Sequence, residues 1–152
     1  MNKTFNFFSV FLVATLAGLM SFSVKAQPTA KLTVVVDGLR HKSGQVCLRV
    51  YSSEQGFPNS ARGVVQSGCT KINGNLATKD FYGLKPGTYA VTLFEDKNSD
   101  SKLNTNFFGI PSEGFGISNN PRAKTRPPKF TEASFGVSQN KTINITMQYL
   151  SK

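Results

Sequence analysis

A two-residue hydrophobic period restricts this chain more than any other feature. Over residues 142–149, Ile143, Ile145, Met147 and Tyr149 alternate with Thr142, Asn144, Thr146 and Gln148, and over 45–51, Val46, Leu48 and Val50 alternate with Cys47, Arg49 and Tyr51. Successive side chains of a strand point to opposite faces, so these runs describe sheets with one buried face. The same reading places strands at 32–36, around 63–66 and 75–81, at 88–94 and at 133–137. Six or seven short strands divided by glycine and proline turns, with no convincing amphipathic helix, predict an all-β fold. The expected architecture is an antiparallel sandwich of immunoglobulin-like or transthyretin-like kind. In the segment Gly83-Leu84-Lys85-Pro86-Gly87-Thr88-Tyr89, Pro86 is expected to preset the first central turn position and Gly87 to supply the positive φ of the second. Between Lys97 and Thr131 the pattern is strand-poor, which predicts a long loop between the last strands, either ordered and functional or mobile.

The N-terminus reads as an address rather than as part of the sandwich. Lys3 precedes an apolar run from Phe5 to Met20, and Val24-Lys25-Ala26 has small residues where a secretory peptidase needs them. Residues 1–26 are therefore expected to be a cleaved signal peptide, with 27–152 a single β-sandwich domain. The alternative, a retained anchor, has an apolar run short for a bilayer span of ~20 residues. No cysteine follows the expected cut, so the chain should be exported, periplasmic or extracellular, without being a lipoprotein and without a transmembrane segment in its mature form. With 39% hydrophobic and 17% charged residues the composition is globular, which excludes disorder, collagen-like repeats and a coiled coil.

Loss of the leader removes Lys3 and Lys25 and leaves 16 basic against 8 acidic residues, a net charge of +8. Such an excess favours anionic partners, here an anionic envelope polymer or lipid surface, and export argues against nucleic acid. Cys47 and Cys69 are the only cysteines. An isolated pair in an oxidising compartment reads most simply as a disulfide; a redox or metal thiol pair is the alternative, without C-x-x-C spacing to support it.

The strings GLRHKSGQVCLRVYSSEQGFP, YGLKPGTYAVTLFEDKNSDSKLNTNFFGIPSEGFGISNN and PPKFTEASFGV, in this order, resemble the bacterial exported family catalogued as domain of unknown function 2141. The resemblance runs from about Leu32 to Leu150. It implies an exported β-sandwich whose biochemical role is unassigned. The family's acidic turn, of Asp-x-Asn-Gly-Asn-Gly type, is present with Ser99 and Ser101 where glycine is common.

Two segments carry candidate chemistry. Asp96, Asn98 and Asp100 occupy the first, third and fifth positions of a D-x-N-x-D calcium loop, with the Lys102 carbonyl and Asn104 as further donors. Position six is Ser101 and position twelve is Phe107, so the glycine and the closing bidentate acid are missing; a hydrogen-bonded Asx turn is the competing reading. Calcium is the one cofactor the residues suggest. The second segment holds Arg122, Lys124, Arg126 and Lys129 around Pro127-Pro128, a candidate anion-binding stretch set against a solvated loop. Phe107, Phe108 and Phe115, among Gly109, Gly114 and Gly116, are expected either to pin this region as a satellite core or to offer a platform for a sugar ring. Nothing convincingly resembles a catalytic constellation: His41, the only histidine, has no nucleophile elbow to serve, and paired carboxylates for glycoside hydrolysis, for example Glu95 with Glu113, are only formally available. The expected function is a non-catalytic binding or structural module of the cell envelope. A calcium-stabilised carbohydrate-associated module is second and an envelope hydrolase third.

Overall fold

A computed structural model describes residues 27–105, 107, 111–122 and 126–150. The expected leader, Phe108 and Lys124 lie outside the described residues. The elements are β1 (Ala30–Asp37), β2 (Gln45–Tyr51), β3 (Val64–Lys71), β4 (Ala77–Leu84), β5 (Gly87–Asp96), β6 (Phe115–Ile117), α1 (Phe130–Ala133), β7 (Phe135–Val137) and β8 (Lys141–Thr146). They form a β-sandwich. A three-stranded sheet has the order β4-β1-β8, and a five-stranded sheet has the order β3-β2-β5-β6 with β7 also on β5.

The hydrophobic period sorts the faces. β1 alternates buried with partly buried residues along its whole length, and its Leu32, Val34 and Val36 meet Val46, Leu48 and Val50 of β2, Val91 and Leu93 of β5 and Ile145 of β8 in one core. Gly116 of β6 is part of this closeness: a Cβ there would stand 2.8 Å from both Ile145 and Leu93. Only glycine lets β6 pass so near.

Three expectations need correction. The sandwich is antiparallel except where β8 lies parallel to β1, from Leu32 opposite Lys141 to Asp37 opposite Thr146. Side-chain alternation is the same in both orientations and carries no strand direction. Secondly, the positive φ before β5 belongs to Gly83, at +74°, and not to Gly87. β4 continues through Gly83 to Leu84, and the turn is held instead by the Tyr89 hydroxyl, which donates to the Lys85 carbonyl at 2.7 Å. A tyrosine bonding back to a carbonyl a few residues upstream is a recurrent corner in β-sandwiches. Finally, the strand-poor stretch contains β6 and leads into α1, elements of three and four residues that are too short to show a period.

Cys47 and Cys69 are directly opposed on β2 and β3 and form a disulfide, with Cα atoms 4.0 Å apart. The bond ties the edge strand β3 to the centre of its sheet. Unreduced, unfolded protein should show no reactive thiol on titration. Replacing both cysteines by alanine should lower unfolding stability by about 3 kcal/mol, measured by denaturant titration.

Candidate functional site

The register of the five-stranded sheet decides what its outer face displays. Cys47, Arg49 and Tyr51 of β2 stand opposite Phe94, Thr92 and Ala90 of β5, and Phe94 and Thr92 in turn face Phe115 and Ile117 of β6. One end of this face is closed by aromatic packing. Tyr51, Phe57 and Phe130 form successive edge-to-face contacts with centroids 5.2 and 5.8 Å apart, beside a small core of Ala90, Ile117 and Ala133. The Tyr51 hydroxyl reaches the carbonyls of Pro58 and Ser60 at 3.0 and 2.9 Å and so fastens the 52–62 loop to its strand. Among the described residues the satellite core is thus built on Phe57 and Phe130, and Phe107 and Phe115 of the expected trio stand outside it. Phe107 is 97% exposed, and Phe115 lines a groove.

That groove, of about 690 Å³, runs along the rest of the outer face. Arg49, Thr92, Phe94, Phe115 and Ile117 make its floor, and among the described residues the segments 58–59, 101–105 and 126–128, with Pro111 and Pro121, make its walls. Arg49 is half buried, and no described residue forms a hydrogen bond or ion pair with its guanidinium. The other cations in the lining are Lys102 and Arg126, and no acid lines the groove among the described residues. Sequence reading passed over Arg49 because a single arginine in an alternating strand looks like any solvent-facing residue.

The acidic turn forms one wall and is held from within. Asp96 is fully buried; its Oδ1 accepts the Asp100 N–H at 3.2 Å, and its Oδ2 accepts the Ser101 N–H and the Gln45 side-chain amide, each at 2.9 Å. Burial pushes this carboxyl up, but the donors of Gln45, Ser101, Asp100 and Ser99 outweigh it and hold the group below the usual carboxylate value. Asn98 Oδ1 accepts the Asp100 N–H, and Asp100 Oδ1 accepts the Lys102 N–H at 2.8 Å. Asn104 contributes its own N–H, which donates to Glu113 Oε2 at 2.9 Å, while Glu113 Oε1 accepts from Lys97 N–H. Buried Glu113 therefore clamps both ends of the turn from outside the twelve-residue calcium pattern, which is why spacing alone did not reveal it. Among the described residues no group of three or more His, Cys, Asp or Glu is arranged to hold a metal ion.

The basic stretch divides into separate parts. Arg126 meets Glu132 in a two-pronged pair, Nη1 to Oε2 and Nη2 to Oε1, both at 2.9 Å. Lys129 precedes α1, and its backbone N–H donates to the same carboxylate. Arg122 is exposed beside a second hollow, shared with Arg126 and Glu132. Arg122 and Arg126 are brought together there, but Glu132 neutralises one of them.

Glu95 and Glu113 have separate partners. Glu95 is fully buried at the edge of the main core, with His41 Nδ1 2.9 Å from Oε1 and the Tyr149 hydroxyl donating to Oε2 at 2.9 Å. Arg40 covers the Tyr149 ring at 4.2 Å, and its N–H donates to the Tyr149 oxygen. This cluster fastens the 39–44 loop and the chain's end to β5. Burial, reinforced by the Glu95 carboxylate, pushes the Tyr149 phenol up to about 12.

These features define a class: a disulfide-tied, two-sheet β-sandwich with a loop-walled groove on the outer face of its larger sheet. The chain belongs to the family described as an uncharacterized protein conserved in bacteria (DUF2141), whose match covers residues 34–146. No curated protein and no solved structure matches it significantly. Among the described residues no helix is long and apolar enough to cross a membrane.

Two measurements check this account. Ser99 and Ser101 adopt φ of 59° and 62°, the left-handed region that costs a side chain of L configuration roughly 1 kcal/mol. Ser99→Gly and Ser101→Gly should each leave stability unchanged or raise it by up to about 1 kcal/mol, because the relief of strain opposes the added freedom of the unfolded chain. A loss of stability would mean that the hydroxyls carry structure. For Tyr149, a folded pKa above the unfolded value means that its stabilisation is complete below about pH 10 and is lost as the pH rises towards 12. Phenolate absorbance should show a late-titrating component that Tyr149→Phe removes.

Proposed function

We propose that this chain is a non-catalytic binding module of the bacterial cell envelope, exported after removal of residues 1–26, and that its ligand is anionic and seated in the outer-face groove. The observation that carries this reading is Arg49, a half-buried arginine whose guanidinium has no partner among the described residues, set in a groove that Lys102 also lines and that no acid lines among the described residues. Withdrawing a cation from water costs free energy that a carboxylate or phosphate offsets best, through paired hydrogen bonds to a planar guanidinium. The +8 charge of the mature chain supports capture of anions from a distance. The disulfide is in keeping with an oxidising compartment. Arg122 and Lys129 then serve as outlying cations rather than as the seat. The calcium-stabilised alternative asks the acidic turn to coordinate a cation; its carboxylates are already supplied with N–H donors, which favours the calcium-independent module.

Binding to polygalacturonate, with neutral dextran as the control, tests the reading. Affinity should fall steeply as salt is raised from low ionic strength to physiological, and dextran should not bind. Arg49→Gln should weaken polygalacturonate binding by about tenfold, the loss expected for one charge-assisted pair. Arg122→Gln and Lys31→Gln should change it by less than about twofold. Equal losses from all three would show diffuse attraction without a seat.

A further inference from the structure

The groove carries more information than the sign of its ligand. Its floor is apolar on the β5–β6 side of Arg49, where Phe94, Phe115 and Ile117 share the outer face and Thr92 stands directly beside the arginine. Five prolines line it among the described residues, so much of the wall is rigid backbone without N–H groups to offer a ligand. The Gln148 amide is spent on the Pro121 carbonyl. A neutral sugar ring, with hydroxyls around its whole rim, would leave most of them unpaired on such a surface, so a sugar is held here only through a carboxylate on Arg49. At the mouth, Leu103 and Leu150 are 38% and 53% exposed, apolar area that an apolar ligand would cover. The volume of about 690 Å³ lies inside the range of roughly 300–1,000 Å³ usual for small-molecule sites.

Resting on the anion-binding reading above, we propose that the groove seats a single anionic amphiphile: an acyl chain along Phe94, Phe115 and Ile117, with its terminal carboxylate on Arg49. Charge complementarity and apolar continuity both select this occupant. An acid without a chain would use Arg49 and leave the floor bare, and a neutral chain would cover the floor and leave the guanidinium unpaired.

The probe is decanoate, well below its micelle-forming concentration, titrated calorimetrically into mature protein with an intact disulfide. Decanoate should bind at one site, decanol at least about tenfold more weakly, and acetate not measurably. Arg49→Gln should weaken decanoate by about tenfold with the melting temperature unchanged. Leu103→Ser, at an exposed position that the fold does not need, should weaken decanoate and decanol alike. Absence of decanoate binding, or binding indifferent to Arg49→Gln, overturns the proposal. If polygalacturonate still requires Arg49 in that case, the anionic groove stands and only the amphiphile falls; if polygalacturonate is also indifferent, both fall. Binding to anionic phospholipid vesicles without binding of free decanoate would likewise overturn it, in favour of a membrane surface.

Discussion

The alternation of β5 is the constraint on which the rest depends. This ten-residue strand pairs with β7 over 87–89, with β2 over 90–96 and with β6 over 92–94, so its register places side chains against three other strands. Tyr89, Val91 and Leu93 enter the core, and Glu95 continues their row to its edge, where His41 and Tyr149 receive it. Ala90, Thr92, Phe94 and Asp96 form the other row, which supplies in turn the satellite core, the groove floor and the anchor of the acidic turn. A slip of one residue would exchange the rows and put Asp96 in the core. Fold and candidate site are therefore set by a single register.

Charged groups outside the core are sorted by whether the chain supplies their partners. Asp96 and Glu113 are satisfied largely by backbone N–H groups, and Arg126 is satisfied by Glu132. These contacts hold the loops that wall the groove, and they take the most conspicuous charges of the sequence out of contention as free binding groups. Arg49 is left over. The asymmetry matters energetically, because a polar group paired within the protein gains little from a ligand, whereas an unpaired and partly desolvated one gains a great deal.

The extent to which this could be read beforehand differs with distance along the chain. Strands β1, β2, β5 and β8 were legible because each alternates over six residues or more, and the disulfide was legible because two cysteines allow one pairing. β6 was not, since Phe115, Gly116 and Ile117 owe their conformation to Phe94, Leu93 and Thr92 across the sheet. Glu113 was noticed only as a formal partner of Glu95, and its clamp on the acidic turn was hidden for a related reason: it meets the turn from the far side of a loop. The basic stretch was visible as charge, but Glu132, which neutralises Arg126, appeared in the sequence only as one acid among eight.

The sequence by itself determined a two-layer β fold, the buried rows of its long strands, a cross-link and a strongly basic surface, because period, cysteine count and charge are properties of residues and their near neighbours. Tertiary structure alone decided that β8 runs parallel to β1, that Asn120 covers the outer edge of β8 by accepting from the Thr146 N–H, and that Arg49 lies beside an apolar floor with no partner among the described residues. Each of these depends on which distant segment arrives beside another. That choice is made by the shape and hydrogen-bonding needs of the assembled surfaces, which no local pattern encodes.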